Sequence, residues 1–232
     1  MKNSTLETRS SGWVDEAGAV FRKDVTLELR NRYALNAMAL FAITTLVVVG
    51  FAVGSQALPA SVVAALLWVV LLFTAIASLS RVFLREEETH TALALRLAAD
   101  PAHVYLGKLL FNVALLGAMT LVQAPLFLGV MQARVGNPGL LALVLLLGCI
   151  GLAAASTIVA AIISRAVARG ALFGALAFPL LLPLLMAATG GTTRALEGAP
   201  LGAAWTEIRL LLSFGVVMIT ASLFLFEHVW SE

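Results

Sequence analysis

Six stretches of this chain, 34–53, 61–80, 109–131, 140–163, 171–190 and 210–226, are mostly apolar and contain no Asp, Glu, Lys, Arg or His. A helix needs about 20 such residues to cross a hydrocarbon core of about 30 Å. Each stretch is therefore read as a membrane-spanning helix, and the chain as an all-α polytopic membrane protein with six transmembrane helices. Composition agrees, because 61% hydrophobic and 12% charged residues leave too little polar surface to cover a water-soluble globule. An ionised side chain at mid-membrane costs roughly 2.5–3.5 kcal/mol on insertion scales and is usually kept for function. Charge-free spans thus argue against a proton-relay transporter.

Basic residues set the orientation. Residues 1–33 hold six Lys/Arg, 81–108 hold four and 164–170 hold two, whereas the opposite side carries Arg134, Arg194 and Arg209. The positive-inside rule then puts both termini in the cytoplasm. This divides the chain into a cytoplasmic N-terminal segment (1–33), a six-helix membrane domain (34–226) and a cytoplasmic tail (227–232). The first 33 residues contain five acids and read as neither a cleavable signal nor an acid-poor transit peptide. Within them, "VFRKDVTLELRNRY" (20–33) repeats Phe21, Val25, Leu29 and Tyr33 every four residues, with Arg22, Lys23, Glu28 and Arg32 on other sides. That pattern suits an amphipathic elbow helix on the membrane surface; a charged juxtamembrane anchor is the alternative.

Between spans two and three, "SRVFLREEETHTALALRLAADPAHVYLGK" (80–108) interrupts the apolar chain with charge. Asp100 can cap free backbone N–H groups and Pro101 suits the first helical position, so a helix is expected to start there. The preceding piece sets Arg85, Glu86, Glu87, Glu88 and Arg96 beside Leu93, Leu95 and Leu97, a mixture suited to docking on a soluble partner near the membrane. A solvated charge run is the plainer reading. Gly107-Lys108 is no phosphate loop, because the upstream glycine and following Ser/Thr are missing.

Gly170 and Gly174 form a GxxxG pair, and Gly151 and Ala155 a small-xxx-small pair, that let helices approach closely. Pro125, Pro179 and Pro183 each remove a backbone hydrogen bond inside a span and are expected to kink it. Pro200 opens "PLGAAWTEIRLLL", where Leu201, Trp205 and Ile208 suggest an interfacial helix with an aromatic anchor. Cys149 reads as a small core residue, and no metal site is drawn from His90, His103 and His228, which lie outside the spans and read as solvated or interfacial. A net charge of +2 gives no reason to expect a nucleic-acid partner. An intramembrane enzyme would need a base at depth beside hydroxyls such as Ser156 and Thr157, and the spans contain none.

Together "FRKDVTLELRNR", "SRVFLREEE" continuing to "VYLGKLL", "FPLLLPLL" and "LFLFEHVWSE" resemble, in order and spacing, the permease subunit of the cytochrome c maturation ABC system, the heme exporter protein B (CcmB) family. The likeness runs from Val20 onward and departs at His90-Thr91, where the family often has a glycine. It implies a non-catalytic permease of the bacterial inner membrane, in which the segment between spans two and three is a cytoplasmic coupling helix seated in a separate ABC ATPase subunit. Arg85, Glu86, Glu87, Glu88, Leu93, Arg96 and Leu97 are its coupling candidates. The resemblance also implies a heme-handling membrane protein, a small accessory peptide and a heme chaperone as partners, with a second copy of the chain as a further candidate. No cofactor is expected on this chain itself: ATP belongs to the partner subunit, and heme is cargo of the complex. Heme could pass through this subunit, or ATP hydrolysis could release heme-loaded chaperone; spans without histidine favour release. An ABC exporter permease for another substrate and a non-ABC intramembrane enzyme remain the alternatives.

The orientation is testable by labelling. A cysteine introduced at Asn137 or Thr192 is expected to react with an impermeant thiol reagent from outside, and one at Ser164 is not. Reversed labelling would overturn it.

Overall fold

The computed structural model describes residues 13–54, 57–79, 100–163 and 169–231. These form seven α-helices: α1 (Trp13–Asn31), α2 (Tyr33–Val53), α3 (Ala60–Leu79), α4 (Pro101–Val130), α5 (Pro138–Ile163), α6 (Arg169–Leu196) and α7 (Trp205–Ser231). Among the described residues, Pro101–Val130, Pro138–Ala160 and Leu201–Phe226 are long and apolar enough to cross a membrane, with shorter apolar helices at Ala39–Val53 and Ala60–Ile76. The chain is a helical membrane protein.

Helix α5 is the centre of the bundle. It packs against α3, α4, α6 and α7, and every residue from Gly151 to Ala160 is buried. Close packing depends on missing side chains. A Cβ on Gly148 would lie 2.0 Å from Cη2 of Trp68, and one on Gly151 would lie 2.5 Å from Cδ1 of Leu184. Trp68 of α3, 1% exposed, slots against α5 and donates its indole N–H to Thr192 Oγ1 of α6 at 2.9 Å. A buried indole needs such an acceptor. Gly151 and Ala155 are both buried on α5. Gly170 and Gly174 fall within α6, but their surroundings lie outside what is described.

Helix ends follow local chemistry. Asp100 accepts from the Ala102 N–H at 2.9 Å and Pro101 occupies the first turn, as expected from the sequence. Asn137 accepts from the Leu140 N–H at 3.1 Å to cap α5, while its amide donates to the Ala199 carbonyl at 2.9 Å. Helix α6 closes in a Schellman arrangement, Ala199 N–H to Arg194 carbonyl and Gly198 N–H to Ala195 carbonyl, with Gly198 at φ 80°. Helix α4 closes the same way, Ala133 N–H to Leu128 carbonyl and Gln132 N–H to Gly129 carbonyl, but the left-handed position is Gln132 at φ 52°. A side chain there costs about 1–2 kcal/mol that glycine would not.

Several expectations are corrected. Thr192 is buried in α6 rather than accessible in a loop, so exposed Glu197 is the better labelling position on that side. No separate interfacial helix precedes the last span: Leu201–Ala204 is a single 3₁₀ turn leading directly into α7. Only Ile208 of the expected stripe turns inward, while Leu201 and Trp205 are exposed. Arg194 lies within α6 and Glu207 and Arg209 within α7, and Arg194 pairs with Glu207 at 2.9 Å, tying the end of α6 to the start of α7. Pro125 lies inside α4 and Pro179 and Pro183 inside α6, within spans as the sequence places them, all on exposed faces.

These contacts predict a contrast between two glycines. Gly148→Ala, which drives a methyl into Trp68, should lower stability by about 1–3 kcal/mol. Gly117→Ala, where a Cβ meets nothing within 4 Å, should be neutral or mildly stabilising. Thermal unfolding of the detergent-solubilised variants measures both.

Candidate functional site

The segment that the sequence marks for coupling precedes α4 in the chain, and α1 packs against α4. Two faces meet there. From α1 come Glu16, Ala17, Val20 and Asp24, spaced to share one side of a helix of about 3.6 residues per turn. From α4 come His103, Gly107 and Lys108. Gly107 sets the distance: a Cβ would lie 2.6 Å from Val20 Cβ and 2.7 Å from the Ala17 carbonyl oxygen. Ion pairs flank this contact. His103 Nδ1 lies 2.7 Å from Glu16 Oε2, where the ring N–H donates to the carboxylate. The Lys108 ammonium lies 3.5 Å from Asp24 Oδ2, and Lys23 lies 3.5 Å from the other oxygen of that carboxylate.

Lys108 has 0% of its surface exposed. An ammonium in an apolar bundle is tolerated only with counter-charge and hydrogen bonds, and Asp24 supplies a carboxylate to Lys108. This revises the amphipathic helix. It exists, and is longer than expected, but its buried side is Ala17, Val20 and Glu28 with largely buried Asp24, while Leu29 is 60% exposed. The turn from α1 into α2 is made by Arg32 in the left-handed region, at φ 50°. His103, expected to be solvated or interfacial, is partly exposed and held by Glu16.

A polar seam continues up α4. Lys108, Asn112, Thr120 and Gln123 are all buried and lie on one side of the helix, over about 22 Å at about 1.5 Å per residue. Asn112 donates to Thr157 Oγ1 at 2.6 Å, and Thr157 donates to the Ala153 carbonyl, both on α5. Thr120 contacts Cys149 Sγ at 3.1 Å, and Thr74 of α3 donates to Gln123 Oε1 at 3.2 Å. Cys149 is buried as expected, but as a member of this seam. Asn112 Oδ1, Gln123 Nε2 and Ser156 Oγ are buried without a hydrogen-bond partner. Helix α4 is thus bound by charge to α1, and by partly satisfied hydrogen bonds to α3 and α5.

Of the residues singled out for coupling, Arg85, Glu86, Glu87, Glu88, Leu93, Arg96 and Leu97 lie outside the described residues, as does His90. Their anchor points, Leu79 at the end of α3 and Asp100 at the start of α4, are described. No group of three or more His, Cys, Asp or Glu suited to a metal ion occurs among the described residues. Asp24, Lys108, Asn112 and Gln123 were not singled out from the sequence. The available signal was the helical spacing of four polar residues in a region otherwise apolar.

Removing the counter-charge should be costly. Asp24→Ala removes the Asp24 carboxylate from beside the buried Lys108 ammonium and should destabilise the protein by about 3 kcal/mol. Replacing both partners, Asp24→Leu with Lys108→Met, should recover most of that loss. Thermal unfolding in detergent reads both variants; equal losses in the single and double variants would show that the loss does not come from an uncompensated Lys108 charge.

Comparison with protein families supplies the context. A family model described as CcmB protein matches residues 16–230, from the Glu16 that holds His103 to the end of α7. No curated protein matches the chain at a significant level. The match covers both faces of the α1–α4 junction, the whole polar seam and every helix after them. The chain belongs to the CcmB family, the heme-transport permeases of cytochrome c biogenesis.

Proposed function

We propose that this chain is the permease subunit of an ABC complex for cytochrome c maturation in the bacterial inner membrane, with six spans and both termini in the cytoplasm. Its N-terminal segment is 1–33, its permease domain 34–226 and its tail 227–232. Residues 81–99 dock on a separate ATPase subunit, which binds the ATP. The observation that carries this reading is the continuity of α4, which begins at Asp100, directly after the docking segment, and runs unbroken to Val130. Displacement of the docking segment by ATP-driven closure would enter the bundle through that helix. The α1–α4 junction, packed at Gly107 and charged at Lys108, moves as one body. Motion is taken up where α4 meets α5, since Asn112 Oδ1 and Ser156 Oγ have unused hydrogen-bonding capacity for a second arrangement. A partner shifts such an equilibrium only by binding the two arrangements differently.

Heme is cargo of the complex, handled with a membrane protein, an accessory peptide and an outer chaperone; this chain itself holds no cofactor. Release of heme-loaded chaperone is favoured over passage through this subunit. Support comes from the close fits of Gly148 on Trp68, Gly151 on Leu184 and Gly191 on Val144, which fill the space between α3, α5 and α6.

Two experiments test this. Reversing Glu86, Glu87 and Glu88 to lysine places like charge against any basic surface they meet. The variant should insert normally, lose the co-purifying ATPase subunit and stop cytochrome c maturation; retention of the ATPase at normal stoichiometry would remove these glutamates from the contact. Replacing Pro179 and Pro183 with alanine should leave assembly intact and impair maturation. Unchanged maturation would show that the prolines have no part in the motion.

A further inference from the structure

We propose that the end of the bundle opposite the docking segment carries a binding site for one anionic phospholipid. This rests on the topology proposed above, which places that end in the outer leaflet. A cavity of about 230 Å³ opens there between the ends of α2, α3, α4 and α6. Val53, Leu58, Val63 and Val130 line it together with the polar side chains of Gln132 and Arg134, and polar atoms make up somewhat more than half of its wall. The volume is below the about 300–1,000 Å³ that encloses a drug-sized ligand. A macrocycle does not fit; the end of an acyl chain does.

Charge and backbone say what head group accompanies it. Arg134 is exposed and has no hydrogen-bond or ion-pair partner among the described residues, in contrast to Arg194, which is taken by Glu207. An unpaired guanidinium in a cavity that mixes polar wall with aliphatic side chains, at the membrane boundary, complements a phosphate whose chain reaches those side chains. The second observation is independent. Both α4 and α6 end in the same Schellman arrangement, but α6 uses Gly198 where α4 uses Gln132 at φ 52°. A position that keeps a strained side chain where glycine would be relaxed is a candidate for function, and Gln132 lines this cavity. Its turn also redirects the chain so that Arg134 borders the same space.

The test uses the full-length chain in mild detergent with phosphatidylglycerol or phosphatidylcholine of identical acyl chains, read by native mass spectrometry. One phosphatidylglycerol per chain should be retained, about fivefold more tightly than phosphatidylcholine, the factor expected of one basic residue at a charged surface. Arg134→Ala should bring the two lipids level, whereas Arg209→Ala, a neighbouring exposed cation on the same side, should not. Gln132→Gly should raise thermal stability while lowering phosphatidylglycerol retention. Excess inorganic phosphate should fail to displace the lipid; displacement by phosphate alone would overturn the role of the cavity. Equal retention by wild type and Arg134→Ala, or equal affinity for the two lipids, would overturn the site. Labelling of Arg134→Cys by an impermeant reagent from outside tests the topology separately, so the two failures are distinguishable.

Discussion

An ammonium group sealed inside an apolar bundle organises this protein. Lys108 is fully buried at the base of α4, and Asp24 of α1 lies 3.5 Å away. Neither charge is stable in such surroundings alone, since desolvating an ion is expensive and only a close counter-charge with further hydrogen bonds offsets it. The pair therefore specifies a place: α1 must lie along the start of α4, in the register that puts Asp24 beside Lys108. Gly107 makes that register sterically accessible, and the Glu16–His103 contact sets the same alignment about two turns away on α1.

From that junction the rest of the bundle divides into tightly and loosely determined contacts. On the side away from the junction, Gly136 and Gly198 touch through their backbones, Asn137 ties the α4–α5 connection to the end of α6, and Arg194 with Glu207 joins α6 to α7. Trp68 wedges between α5 and α6 with its N–H satisfied. The α4–α5 seam is different: Asn112 and Thr157 are bonded, yet Asn112 Oδ1 and Ser156 Oγ are left over. Unmet capacity of this kind in a buried site costs stability in one arrangement and makes a second one cheaper. In the proposed mechanism the helix that receives force is clamped on one face and adjustable on another.

Much of the architecture was legible in the sequence because lipid imposes simple rules. The apolar stretches fall on helices, Asp100-Pro101 starts α4, and the Gly151–Ala155 pair is buried. What escaped were residues whose meaning depends on a distant partner. Lys108 adjoins the predicted start of an apolar span and reads as a loop cation until Asp24, 84 positions earlier, is brought beside it. Gly107, viewed only as half of a missing phosphate loop, is where α1 closes on α4. Phe21, Val25 and Leu29 keep their helical period on α1, but Tyr33 begins α2 beyond the Arg32 turn, and Leu29 faces out, because the Lys108 charge draws the Asp24 side of α1 inward. Trp205 similarly begins the last helix instead of anchoring a separate one, because Pro200 is followed by only one 3₁₀ turn.

The central claim is that α1 and the start of α4 move as a single body while α4 shifts against α5. Pulsed electron spin resonance on the assembled complex tests it most directly, with spin labels at exposed positions Ala19 on α1, Leu110 on α4 and Ile162 on α5. On adding ATP, the account predicts an unchanged distance between Ala19 and Leu110 and a shifted distance between Leu110 and Ile162. A change between Ala19 and Leu110 as large as that between Leu110 and Ile162 would contradict it.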